Sequence, residues 1–158
     1  MRGALGYRPM RSGEEEEGVC DLVSRIFEEF VAGGLSPEGR EEFYSYSDPH
    51  LLLSRSRWNS SVHLALADGL IIAMIEVRED GHVALFFVLG DHQGKGVGGE
   101  LFRRGIAAAR IRNPGISKAT VRSSPNAVPI YERLGFRRLE GLEGEGSIPS
   151  IPMVLDLG

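Results

Sequence analysis

Between Gly90 and Gly99 the chain reads GDHQGKGVGG, five glycines in ten residues, directly after the apolar run VALFFVL. Glycine loses more backbone freedom on folding than any other residue, so such a cluster marks a place where something approaches the main chain closely. A helix starting at Gly96 would present free N–H groups with no Cβ in front of them, a seat for phosphate. A Walker loop, G-x-x-x-x-G-K-[S/T], does not fit: three residues separate Gly90 from Gly94, and Gly96 follows Lys95. Gly94-Lys95-Gly96-Val97-Gly98-Gly99 does match the dinucleotide pattern GxGxxG between a strand and a helix. The ribose-binding acid that pattern needs about 20 residues on is missing, since nothing acidic lies between Leu101 and Tyr131. The loop also falls past mid-chain, which leaves too few strands for a doubly wound nucleotide fold.

Charge follows the same division. Residues 92–138 hold ten basic and two acidic side chains, whereas residues 1–91 hold sixteen acidic and eight basic. A block of one sign that begins in the glycine cluster suits a polyanionic ligand on that half. Aromatic residues do not interleave with it, so nucleic acid is not an expected partner. Composition is that of a soluble globular protein, 42% apolar and 25% charged over 158 residues, read as a single domain spanning 1–158. No apolar run approaches the roughly 20 residues of a membrane helix, and no signal-type apolar segment opens the chain. The single cysteine, Cys20, excludes an internal disulfide and a CxxC metal site. Its acidic neighbours disfavour a thiolate. His50 and His63 lack companions at metal-ligand spacing, so no metal is expected. A cytoplasmic location follows as the default.

The elements that would position the loop read as follows. Residues 4–11 can form a first strand. Ser12 with Glu15 has the spacing of a capping box, opening a helix whose apolar face is Val19, Leu22, Val23, Ile26, Phe27 and Phe30. Gly33-Gly34 ends it, and Ser36-Pro37 starts a second helix through Tyr46. Residues 48–59 read as loop or short helix. Strands at 62–67, 70–78 and 82–89 are separated by Asp68-Gly69 and Asp80-Gly81, both hairpin-turn pairs. The third is apolar nearly throughout, which places it centrally. A helix over 96–112, a strand over 116–123, a short helix over 126–134 and closing strands at 136–140 and 151–157 around a glycine-rich turn at 141–146 complete the order.

Gln93-Gly94-Lys95-Gly96-Val97-Gly98 fits Q-x-x-G-x-G and resembles the acetyl-CoA pyrophosphate loop of the GNAT superfamily of N-acetyltransferases. The segment SSPNAVPIYERLGF at 123–136 resembles the family's distal motif, a short helix that carries a tyrosine and ends in Leu-Gly-Phe. The resemblance covers residues 60–158 closely and residues 1–59 in kind. It implies an α+β protein with a GNAT-like acyl-CoA N-acyltransferase fold, a central mixed, mostly antiparallel sheet of about seven strands flanked by about four helices. It implies acetyl-CoA as co-substrate, with the pantetheine arm along the backbone of Phe87, Val88 and Leu89. The pyrophosphate would lie on N–H groups from Gly94 to Gly99, including those of Lys95, Gly96, Val97 and Gly98, with Gln93 at the loop entrance. Tyr131 stands at the family position of the proton donor to the departing thiolate, a role a phenol can fill. Many relatives carry asparagine seven residues before that tyrosine; here Ser124 stands there and Asn126 lies five before it. Either can cap the helix or touch the cofactor, and Arg122 can face coenzyme A or solvent.

A general base is not identified by sequence: Glu76, His82, Asp91 and His92 are candidates, and a water chain is an alternative. The first two helices bring Phe30, Phe43, Tyr44 and Tyr46 among Glu28, Glu29, Glu41 and Glu42. Such a cleft would suit a cationic amine, on a small molecule or a peptide, with direct attack in a ternary complex. The resemblance also admits a homodimer. The alternative function is a catalytically silent acyl-CoA-binding sensor that kept the loop.

Overall fold

The computed structural model describes residues 4–139 and 148–158. Strands β1 (Leu5–Pro9), β2 (Ser60–Ala67), β3 (Leu70–Arg78), β4 (His82–Val88), β5 (Lys118–Ser123), β6 (Arg137–Arg138) and β7 (Ile151–Asp156) form one sheet ordered β1-β2-β3-β4-β5-β7-β6. Every neighbouring pair is antiparallel except β4 and β5. The parallel pair needs a crossover, which helix α4 (Val97–Arg112) supplies. Helices α1 (Glu16–Phe30), α2 (Pro37–Tyr46), α3 (Pro49–Trp58) and α5 (Val128–Arg133) complete the fold. This is the mixed, mostly antiparallel GNAT sheet expected, with five helices rather than four. The fifth, α3, is the stretch the sequence left as loop or short helix.

The core divides between the two faces of the sheet, with a register shift in β4 between Val83 and Leu85 that sends these two side chains to opposite faces. Ala73, Ile75 and Val77 of β3 and Val83 of β4 pack with Val97, Leu101, Phe102, Ile106 and Ala109 of α4. Met74 of β3, Leu85 of β4 and Val62, Leu64 and Leu66 of β2 pack on the opposite side, with Val19, Leu22, Val23 and Ile26 of α1 and Leu52 of α3.

Two helix starts follow their sequence signals. Ser36 Oγ accepts from the Gly39 N–H at 3.1 Å with Pro37 at the first helical position, and Asp48 Oδ1 accepts from His50 N–H and Leu51 N–H at 2.9 and 3.2 Å. The expected capping box at Ser12 does not form. The Glu15 carboxylate instead takes the Arg8 guanidinium through both oxygens, 2.7 and 2.8 Å, and the Arg11 N–H at 2.6 Å. A bidentate charged pair outcompetes a single backbone bond, so α1 begins at Glu16, whose own carboxylate accepts from Gly13 N–H. The closing strands are shorter than expected, and the turn at 141–146 lies outside the described residues, as does Glu140.

Candidate active site

The parallel pairing of β4 and β5 spans only His82 with Thr120 and Val83 with Val121, after which the strands part. From Ala84 to Val88 the β5-facing side of β4 therefore has no strand partner, and a cleft of about 1720 Å³ opens there. One wall is β4, the other is Ser123 to Tyr131. The α1 C-terminus and α2 roof it, and the glycine loop closes one end.

Backbone direction along β4 is set by one bond. Leu89 N–H donates to Ile72 O at 2.9 Å, so it faces β3. Alternation places the groups of Phe87 on that side too and turns those of Phe86 and Val88 toward the cleft. Val88 O accepts from Gln93 Nε2 at 2.9 Å. Of the expected trio Phe87, Val88 and Leu89, the backbone of Val88 faces the cleft, and Phe86 joins it. Leu89 does not line the cleft. Phe87 also lines the cleft; the sequence marks the strand but not its register.

Gly94 and Gly96 take left-handed φ of +74° and +85°, and a Cβ on either would meet nothing within 4 Å. Gly96 is the N-cap of α4 with no side-chain cap, and Glu100 N–H is the first to bond inside the helix, to Gly96 O at 3.1 Å. The amides of Val97, Gly98 and Gly99 thus end the helix without intrahelical partners, as at any helix N-terminus. Gln93, Gly94, Gly96, Gly98 and Gly99 line the cleft. Lys95 is exposed beside it, and the Val97 side chain is core at 2% exposure. The loop's shape fits a pyrophosphate: open space over glycine, and helix dipole behind it.

Tyr131 projects from α5 between Phe86 and Phe136, ring centroids 6.1 and 5.4 Å away, edge-on in both cases. It lines the cleft at 7% exposure. Burial pushes its phenol well above the usual range, so it holds its proton. Among the described residues no group hydrogen-bonds its hydroxyl. Ser124 and Asn126 also line the cleft, but neither side chain caps a helix. Asn126 Nδ2 instead donates to Phe30 O at 3.2 Å and ties the α5 entry to the α1 C-terminus.

The four candidate bases separate cleanly. Glu76 is fully buried and accepts from Arg55 Nε (2.8 Å), Arg55 Nη2 (3.1 Å), Ser60 Oγ (2.8 Å) and Tyr46 Oη (3.5 Å). That carboxylate is fully engaged in a buried network and does not line the cleft. Asp91 and His92 sit in the turn Gly90–His92, outside the cleft lining. His82 lines the cleft. Its Nδ1 lies 2.8 Å from Thr120 Oγ1, and burial followed by the charge of Arg78 lowers its pKa, which favours the neutral imidazole.

The basic block is partly structural. Arg103 and Arg104 pair with Glu100, Arg110 binds the carbonyls of Leu157 and Gly158, and Arg112 binds those of Trp58 and Ser60. Arg122 and Arg133 line the cleft, as does Arg78, which sequence reading passed over. Of the acidic and aromatic set expected there, Glu28, Glu29, Phe30, Glu42, Phe43 and Tyr46 line the cleft, Glu28 held by Arg40 and Tyr44, while Glu41 and Tyr44 do not line it. Cys20 is buried with a raised pKa, mainly through desolvation, which removes it from covalent chemistry.

No curated protein matches the chain in sequence. Solved structures match its fold. The PaiA N-acetyltransferase of Thermoplasma acidophilum, in complex with coenzyme A, superposes with a TM-score of 0.78 at 18% identity, over 97% of this chain and 99% of that one. A GCN5-related N-acetyltransferase from Rhodopseudomonas palustris gives 0.78 at 19% identity, over 99% and 98%. A candidate streptothricin acetyltransferase from Bacillus anthracis, in complex with acetyl coenzyme A, gives 0.53 at 19% identity, over 63% and 64%. The sequence pattern of the acetyltransferase (GNAT) domain matches residues 31–157. With strand, glycine loop and tyrosine helix all inside that span, the chain belongs to the GNAT acetyltransferase family.

Proposed function

We propose that this protein acetylates a primary amine, on a small molecule or a peptide, by direct attack in a ternary complex. Acetyl-CoA is the co-substrate and supplies an activated acetyl group on a thioester. The observation that carries the reading is the parted seam: one open strand edge with helix amides at one end, Tyr131 on its flank and His82 where the strands separate. The amides of Val97, Gly98 and Gly99 hold the pyrophosphate, and the Phe86 and Val88 backbone holds the pantetheine arm. His82, neutral because it is desolvated, accepts the proton of the acceptor ammonium. The freed lone pair attacks the thioester carbonyl, the C–N bond forms and the C–S bond breaks. Tyr131 Oη then delivers its proton to the departing sulfur, and CoA leaves as the thiol. The second proton lost by the amine nitrogen restores the Tyr131 phenol, and the His82 imidazolium releases its proton to solvent.

The test begins with calorimetric titration of acetyl-CoA, with NADPH as the control. Gly99 has ordinary φ and open space beside it, so Gly99→Glu keeps the fold while placing a carboxylate on the amide cradle. Micromolar acetyl-CoA binding that disappears in this variant supports the reading; NADPH binding in its place sinks it. Tyr131→Phe then keeps acetyl-CoA binding and loses roughly a hundredfold in kcat, within the usual span for a proton donor. Undiminished turnover moves the donor elsewhere, and binding without turnover of any amine means a silent acyl-CoA module.

A further inference from the structure

Basic side chains gather at the end of the cleft away from the glycine loop. Glu29 lies by the glycine loop, its Oε1 4.0 Å from where a Cβ on Gly90 would stand. Arg78, His82 and Arg122 line the other end, where the strands meet. The register brings these three together. His82 faces Thr120 across the parallel pair, and Arg122 lies two residues beyond Thr120, hence on the same sheet face. Val77 pairs with Val83, so Arg78, the next residue of β3, stands beside His82. Burial and then the Arg78 charge lower the His82 pKa most; Arg122 adds a smaller lowering effect, less than the opposing effect of Asp80.

Among the described residues no carboxylate lies within ion-pair distance of Arg78 or Arg122. Glu76 is already engaged by Arg55, Ser60 and Tyr46, and Asp80 accepts from the His82 N–H at 3.0 Å. Arg78 is also fixed in place. Its Nη2 donates to Tyr46 Oη at 3.2 Å, and the Tyr46 ring lies 3.7 Å beneath the Arg55 guanidinium. A held guanidinium with donors to spare, beside a second one, matches a planar two-oxygen anion.

We propose that the acceptor amine belongs to a molecule that also bears a carboxylate, an amino acid or a peptide end, and that Arg78 and Arg122 hold that carboxylate while the amine faces His82 and the seam. This rests on the acetyl-transfer reading and narrows its substrate class. It differs from the cationic amine expected from the acidic residues of the first two helices, of which Glu29 stands by the glycine loop.

The experiment measures thiol release from acetyl-CoA with a panel of L-amino acids and dipeptides, each paired with its C-terminal amide, and with cadaverine and spermidine as cationic amines. The amides have less basic amines and would otherwise react better, so a preference for the acids cannot come from amine basicity. The acids should exceed their own amides by roughly ten- to hundredfold in kcat/KM, through KM. Arg122 is exposed, so its variants keep the fold: Arg122→Gln should erase most of the preference, and Arg122→Glu should invert it toward amides and diamines. Amides or diamines that match the acids overturn the proposal, as does an acid preference untouched by both variants, or acetyl-CoA binding with no acid acetylated. Failure to bind acetyl-CoA at all is a different result and overturns the reading beneath it.

Discussion

Glu76→Gln separates a structural carboxylate from a catalytic one. Glu76 is 0% exposed and its two oxygens take four hydrogen bonds, two of them from Arg55. The Arg55 side chain is only 16% exposed, so removing its counter-charge leaves a largely desolvated cation. A buried pair broken from one side costs about 3–5 kcal/mol, and the amide's poor match to Arg55 Nε and Ser60 Oγ adds to the mismatch because an NH₂ cannot accept. Taking about 3 kcal/mol and an m-value of about 2 kcal/mol/M, the urea midpoint should fall by about 1.5 M. In a chain of this size the melting temperature should drop by roughly 6–12 °C. The double variant Arg55→Met/Glu76→Leu should recover much of that loss, since it removes both charges together. A Gln variant with stability within about 1 kcal/mol of the parent but kcat lowered a hundredfold would refute this and make Glu76 the base.

Two further outcomes follow from the backbone and from titration. Gly81 has φ +90° and a Cβ there would drive into the Lys118 carbonyl oxygen, so Gly81→Ala should cost more than about 2 kcal/mol; Gly69→Ala, with φ +81° and open space, should cost about 1 kcal/mol by the same denaturation assay. Stability should fall in two stages on acidification. Burial lowers the pKa of His63 and His82 below 6.5 in the folded state. The unfolded chain therefore binds more protons just below that pH, and stability declines there. The Arg8 bond holds Glu15 at about 2 instead of 4.5; its contribution is present above pH 4.5 and lost as pH falls toward 2. Urea midpoints against pH should lose the second limb in Glu15→Gln, which itself costs about 1–2 kcal/mol at neutral pH.

What sequence revealed here was what short-range chemistry decides. The glycine loop is legible because its signal, glycine where a strand turns into a helix, lies within ten residues. Helix α2 is legible because Ser36-Pro37 is a local start signal. Helix α3 carries the same kind of signal in Asp48-Pro49, yet it shows no apolar stripe, and Leu52 is its one fully buried residue, so periodicity was silent. The Ser12–Glu15 box failed because its competitor, Arg8, sits in the preceding strand. The pairing of Glu76 with Arg55 spans 21 residues, and the company of Arg78, His82 and Arg122 depends on strand register. No spacing rule reaches either, which is why the charge of the acceptor end was invisible.

The open edge of β4 is the feature that joins fold to function. An unpaired strand edge exposes backbone donors and acceptors and invites association with other strands. β4 lies fourth of seven in the sheet, so its edge opens inward by separation from β5, under cover of α5 and the α1–α2 segment. The Asn126–Phe30 hydrogen bond joins the two covering segments beside it. Gln93 takes up the Val88 carbonyl from the loop side, which leaves Phe86 as the next backbone position along the edge toward the point where the strands meet. In the proposed reading, a ligand that pairs there is guided like an added strand toward the point where β4 and β5 meet. Extending the β4–β5 pairing by even two residues would improve the sheet and close the site, so the early parting after Val83 is a defect of the sheet and the substance of the enzyme.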